Sequence, residues 1–319
     1  MKNILLEIKN LSVSFFTDYG EIKAVRNLNL TIKKGETVGI VGESGCGKTI
    51  TALSILNLVP APGKILQGEI KFENKNLLSL NNEKLREIRG KKISIIFQDP
   101  MASLNPVLKI GEQLSEVFVF HTELKKDKIK EKVLKLLKNV KIPNPEIVYN
   151  SYPHQLSGGM QQRVMIAMAL ALNPKILIAD EPTTSLDVTI ESEILKLLYS
   201  LKKKYNLSIL FITHNMALLS QIADRIYVMY AGEIVEEAKK EELFKKPLHP
   251  YTKALLEAIP GYKNNYKKLN YIPGEIPNNI NILPGCTFYP RCKFGKKICY
   301  EKDIEIFEKS KNHFVRCVL

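Results

Sequence analysis

Eight consecutive residues, Gly42-Glu43-Ser44-Gly45-Cys46-Gly47-Lys48-Thr49, have the spacing G-x-x-x-x-G-K-[ST], and that spacing is suited to holding phosphate. Glycines let backbone N–H groups curl around the oxygens, the Lys48 ammonium reaches the β and γ positions, and the Thr49 hydroxyl is a Mg²⁺ ligand. A helix starting at Thr49 and carrying Ile50 as the next nucleotide contact points its positive end at the anion. The thiol of Cys46, beside Lys48 at a helix N-terminus, is expected to favour the thiolate and to react with alkylating agents.

Two further groups extend this chemistry. The apolar run from Lys175 ends in Asp180-Glu181. It reads as a buried strand that delivers two carboxylates, Asp180 to the Mg²⁺ water shell and Glu181 to the proton of an attacking water. Leu156-Ser157-Gly158-Gly159-Met160-Gln161-Gln162 precedes an apolar helical pattern, so glycine amides and the Ser157 hydroxyl crown a second helix N-terminus. This is a second anion site, and one nucleotide does not easily engage both sites of one chain.

Four of the five cysteines, Cys286, Cys292, Cys299 and Cys317, lie close together in sequence at intervals of x₅, x₆ and x₁₇. In a cytosolic chain such a cluster favours a metal over disulfides. Four thiolates suit zinc and an iron–sulfur cluster alike, so their number does not choose between them.

The elements that must position these groups follow from pattern. Residues 4 to 41 alternate apolar and polar around turns at Gly20 and Gly35, and read as strands, the last of them Thr37 to Val41. Phe15, Phe16 and Tyr19 precede the Gly20 turn, and Phe15 is the expected stacking partner of an adenine ring. Further strands are expected from Lys64 to Phe72 and from Lys92 to Phe97, with a polar helix from Asn82 to Arg89 between them. From Gln98 to about Pro153 the chain becomes helical, with Ile129, Val133, Leu136 and Leu137 on one face and lysines on the other.

Composition bounds the rest. The 319 residues are 45% hydrophobic and carry a net charge of +14, enough for a large core. The lysines are spread over helix faces rather than gathered in a stripe, so no nucleic acid is expected as a partner. No apolar run approaches the length of a membrane span, and the early charges Glu7 and Lys9 interrupt any signal-peptide core.

Taken in this order, the motifs resemble those of an ATP-binding-cassette (ABC) ATPase over residues 4 to 245. The resemblance implies an α/β fold: a P-loop core with an antiparallel β subdomain and a helical subdomain over about 99–172. It also implies roles. The Ser157-Gly158-Gly159 signature binds the γ-phosphate held by a partner subunit's loop, Gln98 is the loop glutamine near Mg²⁺, Asp187 with Ser185 forms the dimer contact, and His214 is the switch histidine. Downstream, His249-Pro250-Tyr251-Thr252, Pro284-Gly285-Cys286 and Pro290-Arg291-Cys292 resemble the extension of dipeptide and oligopeptide importer ATPases. Ala52 to Leu56 resembles the first of their two ATPase subunits.

That resemblance implies domains of 1–245 and 246–319 and ATP hydrolysis that drives peptide uptake. It implies two transmembrane permease subunits, a sister ATPase, an extracytoplasmic binding protein, and a place on the cytoplasmic face of the membrane. In the extension it implies a [4Fe–4S] cluster on the four cysteines, with zinc as the alternative. Other cargoes, such as nickel, glutathione or a sugar oligomer, fit the same ATPase, because cargo is read by other chains. A cassette acting on nucleic acid is the more distant rival; such proteins usually carry long coiled coils or two cassettes, and this chain has one cassette and no extended heptads.

Overall fold

The computed structural model describes residues 4–184, 186–262, 272–275, 277 and 284–319. The chain divides into two compact units, one formed by Met1–Ser79 and Phe211–Leu319, the other by Leu80–Leu210.

The first unit opens with β1 (Ile4–Thr17) and β2 (Gly20–Lys33), an antiparallel pair. Leu6, Ile8, Leu11, Val13, Leu28, Leu30 and Ile32 are buried, the inward half of the alternation seen in the sequence. Next come β3 (Thr37–Val41), α1 (Lys48–Ile55), β4 (Gly63–Phe72) and β5 (Lys75–Asn76). The order β2-β1-β4-β5 makes one antiparallel sheet. All five residues of β3 are buried, as expected of a strand covered on both faces.

The second unit begins with α2 (Asn82–Ile88) and β6 (Ile93–Ile96). Four helices follow: α3 (Pro100–Ser103), α4 (Ile110–His121), α5 (Lys126–Asn139) and α6 (Pro145–Asn150). In α5 the residues Ile129, Val133, Leu136 and Leu137 are buried, the 3.6-residue stripe that the sequence carried. Then come α7 (Gly158–Leu170), β7 (Ile176–Asp180) and α8 (Val188–Tyr205). β6 and β7 pair in parallel with Ile93 opposite Ile176, and β7 is wholly buried.

β8 (Ser208–Thr213) crosses the division, and the chain returns to the first unit with α9 (Met216–Ile222), β9 (Arg225–Tyr230) and β10 (Glu233–Lys239). α10 (Lys240–Lys245) and α11 (Pro250–Glu257) follow. The cysteine-bearing tail adds α12 (Lys297–Glu301), β11 (Phe307–Ser310) and β12 (His313–Val315). Within this unit the strands run β11-β12-β10-β9-β3. β3 and β9 are parallel and the other pairs antiparallel.

Two buried charges lock this unit. Arg225 donates to Glu36 Oε1 at 2.9 Å, the Thr31 carbonyl at 2.7 Å and the Tyr227 hydroxyl at 2.7 Å, so β9 is tied to β2 and to the turn after it. Glu236, fully buried on β10, accepts from the Leu248 and His249 N–H groups at 2.8 Å each and pairs with His313 Nε2 at 2.7 Å. A buried carboxylate is tolerated only when so satisfied, and these bonds fix both α11 and the tail strand β12 to β10.

Candidate nucleotide site

In the first unit, β3 runs straight into Gly42–Thr49 and α1 begins at Lys48 with Gly47 as its N-cap. Gly42 and Gly47 are dictated by space. A Cβ on Gly42 would stand 2.1 Å from the Met229 carbonyl oxygen; one on Gly47 would stand 2.3 Å from that of Ala24, at a φ of +105°. The Cys46 carbonyl accepts from Gly232 N–H at 2.9 Å, so the turn after β9 braces the loop from beneath. Lys48 is 5% exposed, and its ammonium donates to the carbonyls of Gly42 at 2.8 Å and Glu43 at 3.0 Å. Ser44, Gly45 and Thr49 are exposed, and Gly47 and Ile50 are half-buried.

Cys46 overturns an expectation. It is fully buried, and burial pushes its thiol up to about 11 although Lys48 pulls the other way. Desolvation outweighs the lysine because the side chain lies under the loop, toward Gly42.

Elsewhere in this unit, Phe15 is half-buried on β1, paired with Ile22 and opposite Gly63. Its neighbour Phe16 is 46% exposed beneath the Lys64 ammonium, and Tyr19 is 88% exposed. His214 is exposed immediately after β8.

The second unit holds the two acids and the other helix N-terminus. Asp180 ends β7 at 2% exposure, and Glu181 follows at 8% with φ +46°. A left-handed glutamate costs about 1 kcal/mol, and it ends the extended run of β7 immediately after Asp180. Thr184 Oγ1 donates to Glu181 Oε2 at 2.9 Å, and Gln98 Nε2 stands 3.4 Å from the same oxygen. The loop glutamine and the second acid, separated by 83 residues, therefore meet. Thr184 was not foreseen, for a threonine three residues past an acid carries no signal of its own.

Ser157 caps α7, accepting from Met160 N–H at 3.4 Å, and is exposed together with Gly158. Gly159 faces Ile190 of α8. Asp187 is exposed and caps α8, accepting from Ile190 N–H at 2.9 Å. Ser185, expected beside it in the dimer contact, lies outside the described residues.

The four cysteines of the centre expected in the tail all lie within the described residues. Cys286, Cys292, Cys299 and Cys317 are free thiols, and among the described residues no group of three or more His, Cys, Asp or Glu stands ready to hold a metal ion. Burial pushes Cys286 up to about 11 and raises Cys292 and Cys317, and the neighbouring cysteines raise all three further. Metal binding releases thiol protons, so these raised values belong to the metal-free thiols, which lie within electrostatic reach of one another.

The tail's unforeseen contribution lies at the phosphate loop. Arg291, 9% exposed, donates from Nη1 to both Glu43 carboxylate oxygens at 3.0 and 3.1 Å, and the Tyr251 hydroxyl accepts from Glu43 N–H at 2.9 Å. Both residues sit in motifs that the sequence made conspicuous, but nothing in the motifs says what they touch.

Comparison with known proteins bears on this geometry. A family model described as "ABC transporter" matches residues 25–184, and one described as "Oligopeptide/dipeptide transporter, C-terminal region" matches 235–299. The oligopeptide transport ATP-binding protein AppD of Bacillus subtilis is 48% identical, covering 99% of this chain and 96% of its own. The dipeptide transport ATP-binding protein DppD of Lactococcus lactis is 45% identical over 98% and 90%. Among solved structures, the dimeric ATP-binding cassette MJ0796 bound to ADP and phosphate is 32% identical with a TM-score of 0.65, covering 74% of this chain and 98% of that one.

Proposed function

The chain belongs to the ABC transporter ATPases, in the branch with the oligopeptide/dipeptide C-terminal region, and on that premise we infer that it is the ATP-hydrolysing subunit of a di- or oligopeptide importer. The observation that carries the ATPase reading is the braced phosphate loop with Lys48 folded over it. The peptide cargo rests on relatives that bear oligopeptide and dipeptide transport names.

In this reading the Gly42–Lys48 amides and the Lys48 ammonium bind the β and γ phosphates, with Ile50 beside them and Phe15 against the adenine. Mg²⁺, held by Thr49, Asp180 and Gln98, would supply charge neutralisation at the phosphate oxygens. Glu181 orients and deprotonates the attacking water, oriented itself by the Thr184 hydroxyl; Gln98 and His214 complete the catalytic group. Ser157, Gly158 and Gly159 serve the nucleotide held by a partner cassette, and Asp187 lines that interface. The exposure of Ser157 and Gly158 supports this.

Two permease subunits, a sister ATPase and an extracytoplasmic binding protein complete the assembly. The chain sits peripherally on the cytoplasmic face; among the described residues no helix is long and apolar enough to cross a membrane. Residues 1–245 form the nucleotide-binding domain and 246–319 the extension. On its gathered thiols a [4Fe–4S] cluster, or zinc in its place, would supply folding energy. Iron, sulfide and zinc analysis of anaerobically purified protein tests that centre, and metal-free protein with four free thiols removes it.

The chemical step is tested by Glu181→Gln. We expect MgATP binding to persist while turnover falls about 10³-fold, the range for a lost general base, measured with the sister site silenced. Near-normal hydrolysis would sink the assignment.

A further inference from the structure

Glu43 is held at three points. Its carbonyl accepts from Lys48, its N–H donates to the Tyr251 hydroxyl, and its carboxylate pairs with Arg291. The second and third contacts come from 208 and 248 residues away, out of the C-terminal extension. Arg291 is itself fixed. Its Nε donates to the Pro273 carbonyl at 2.9 Å, and its Nη1 stands 3.3 Å from the Tyr230 hydroxyl.

Behind these contacts lies an aromatic block. Tyr230 meets Tyr251 edge-on at 4.7 Å and Phe288 at 5.2 Å, and Tyr251 lies 5.4 Å from Phe288. Tyr230 and Tyr251 are fully buried and Phe288 nearly so. The segment between Cys286 and Cys292 thus supplies both Phe288, which backs Tyr251, and Arg291, which reaches the loop.

The electrostatic consequence is specific. Glu43 places a carboxylate inside a loop that must accept a polyanion, and an unpaired carboxylate there repels phosphate. Arg291 neutralises it in a poorly solvated setting, where a charge-assisted hydrogen bond is strong. Tyr251 fixes the peptide between Gly42 and Glu43, hence the direction of the loop's first turn.

We propose that Arg291 and Tyr251 are positioning residues for nucleotide binding, a clamp through which the C-terminal extension sets the affinity of the phosphate loop by neutralising and orienting Glu43. This rests on the ATPase reading above and adds to it a role for the extension at this chain's own nucleotide site.

The test is a double-mutant cycle on the full-length chain, with MgATP affinity measured by titration calorimetry and folding checked by circular dichroism and thermal melting. Arg291→Ala should weaken MgATP binding about ten-fold. Glu43→Gln in the same chain should recover most of that loss, because the repelling charge is gone. A purely structural arginine would show no such recovery. Tyr251→Phe, which keeps the ring in the aromatic block and removes only the hydroxyl, should weaken binding about three-fold, and it carries the test if Arg291→Ala does not fold. In the assembled importer these variants should raise KM for ATP and leave kcat within about two-fold. Folded variants with wild-type affinity, or strictly additive losses in the double mutant, would overturn the clamp. Failure of the unaltered chain to bind MgATP would overturn the ATPase reading along with it.

Discussion

Two helix N-termini in this chain are built for anions, and they are built differently. The one at Lys48 is braced from beneath by its own unit. Met229 and Ala24 leave no room for a Cβ, Gly232 holds the Cys46 carbonyl, and Arg291 and Tyr251 hold Glu43. The one at Ser157 is exposed; its cap bond is long at 3.4 Å, and its near neighbours are the side chains of Ile190 and Leu186. A site that binds nucleotide within its own chain needs a backbone fixed in advance. A site completed by a second subunit needs instead to be presented, and its rigidity comes with the partner.

The sharpest way to break this comparison is a methyl group on each glycine. Gly47→Ala meets backbone at 2.3 Å and an unfavourable φ, and should lower MgATP affinity at least about 100-fold. Gly159→Ala meets no backbone, only the Cγ2 methyl of Ile190 at 2.8 Å, and should leave binding to the same chain within about three-fold. Calorimetry on both variants checks the pair, and equal losses would erase the distinction.

Acid should loosen the braced site next. His249 caps α11, its Nδ1 accepting from Tyr251 N–H at 3.1 Å. Burial pushes the imidazole down to about 4, against the pull of Glu236 and with the help of Arg316 and Lys253. The unfolded chain takes up this proton near pH 6.5 and the folded one only near 4. The stability due to neutral His249 is therefore complete above about pH 6.5 and is lost as pH falls toward 4, by about 3 kcal/mol. Urea melts at pH 7 and 5 should differ accordingly, and His249→Asn, which retains a cap acceptor, should flatten the difference.

A smaller effect sharpens the comparison across subunits. Ser157→Arg should cut turnover of the assembled importer about ten-fold while MgATP binding to the same chain stays unchanged. Loss of binding in the variant chain would place Ser157 at its own nucleotide instead. The slightest change concerns Cys46. Iodoacetamide at pH 8 should leave it unmodified in the folded chain and label it once the chain is unfolded in urea, with peptide mapping as the readout.

Local chemistry was legible in advance because it is written in adjacent residues. β3 forms over the expected Thr37–Val41, the loop glycines fall where backbone or φ demands them, and Asp180 ends a buried strand. The Ser157 and Asp187 caps follow from side-chain chemistry within three residues of each helix start. Motif order along the chain also identified the family, since six short patterns in one sequence constrain it far more than any one of them does.

What the tertiary structure decided lies where distant segments meet. Cys46 reads as a reactive thiol from its neighbours in sequence, yet the core beneath the loop removes it from water, and desolvation outweighs Lys48. The four cysteines suggest ligands by type and number, but whether their sulfurs converge depends on the path of the tail. Glu43 occupies one of the unrestricted positions of its motif, and only the folded chain brings Tyr251 and Arg291 to it. Spacing along a chain sets periodicity and local hydrogen bonds; burial and long-range pairing depend on contacts hundreds of residues apart, which no local pattern encodes.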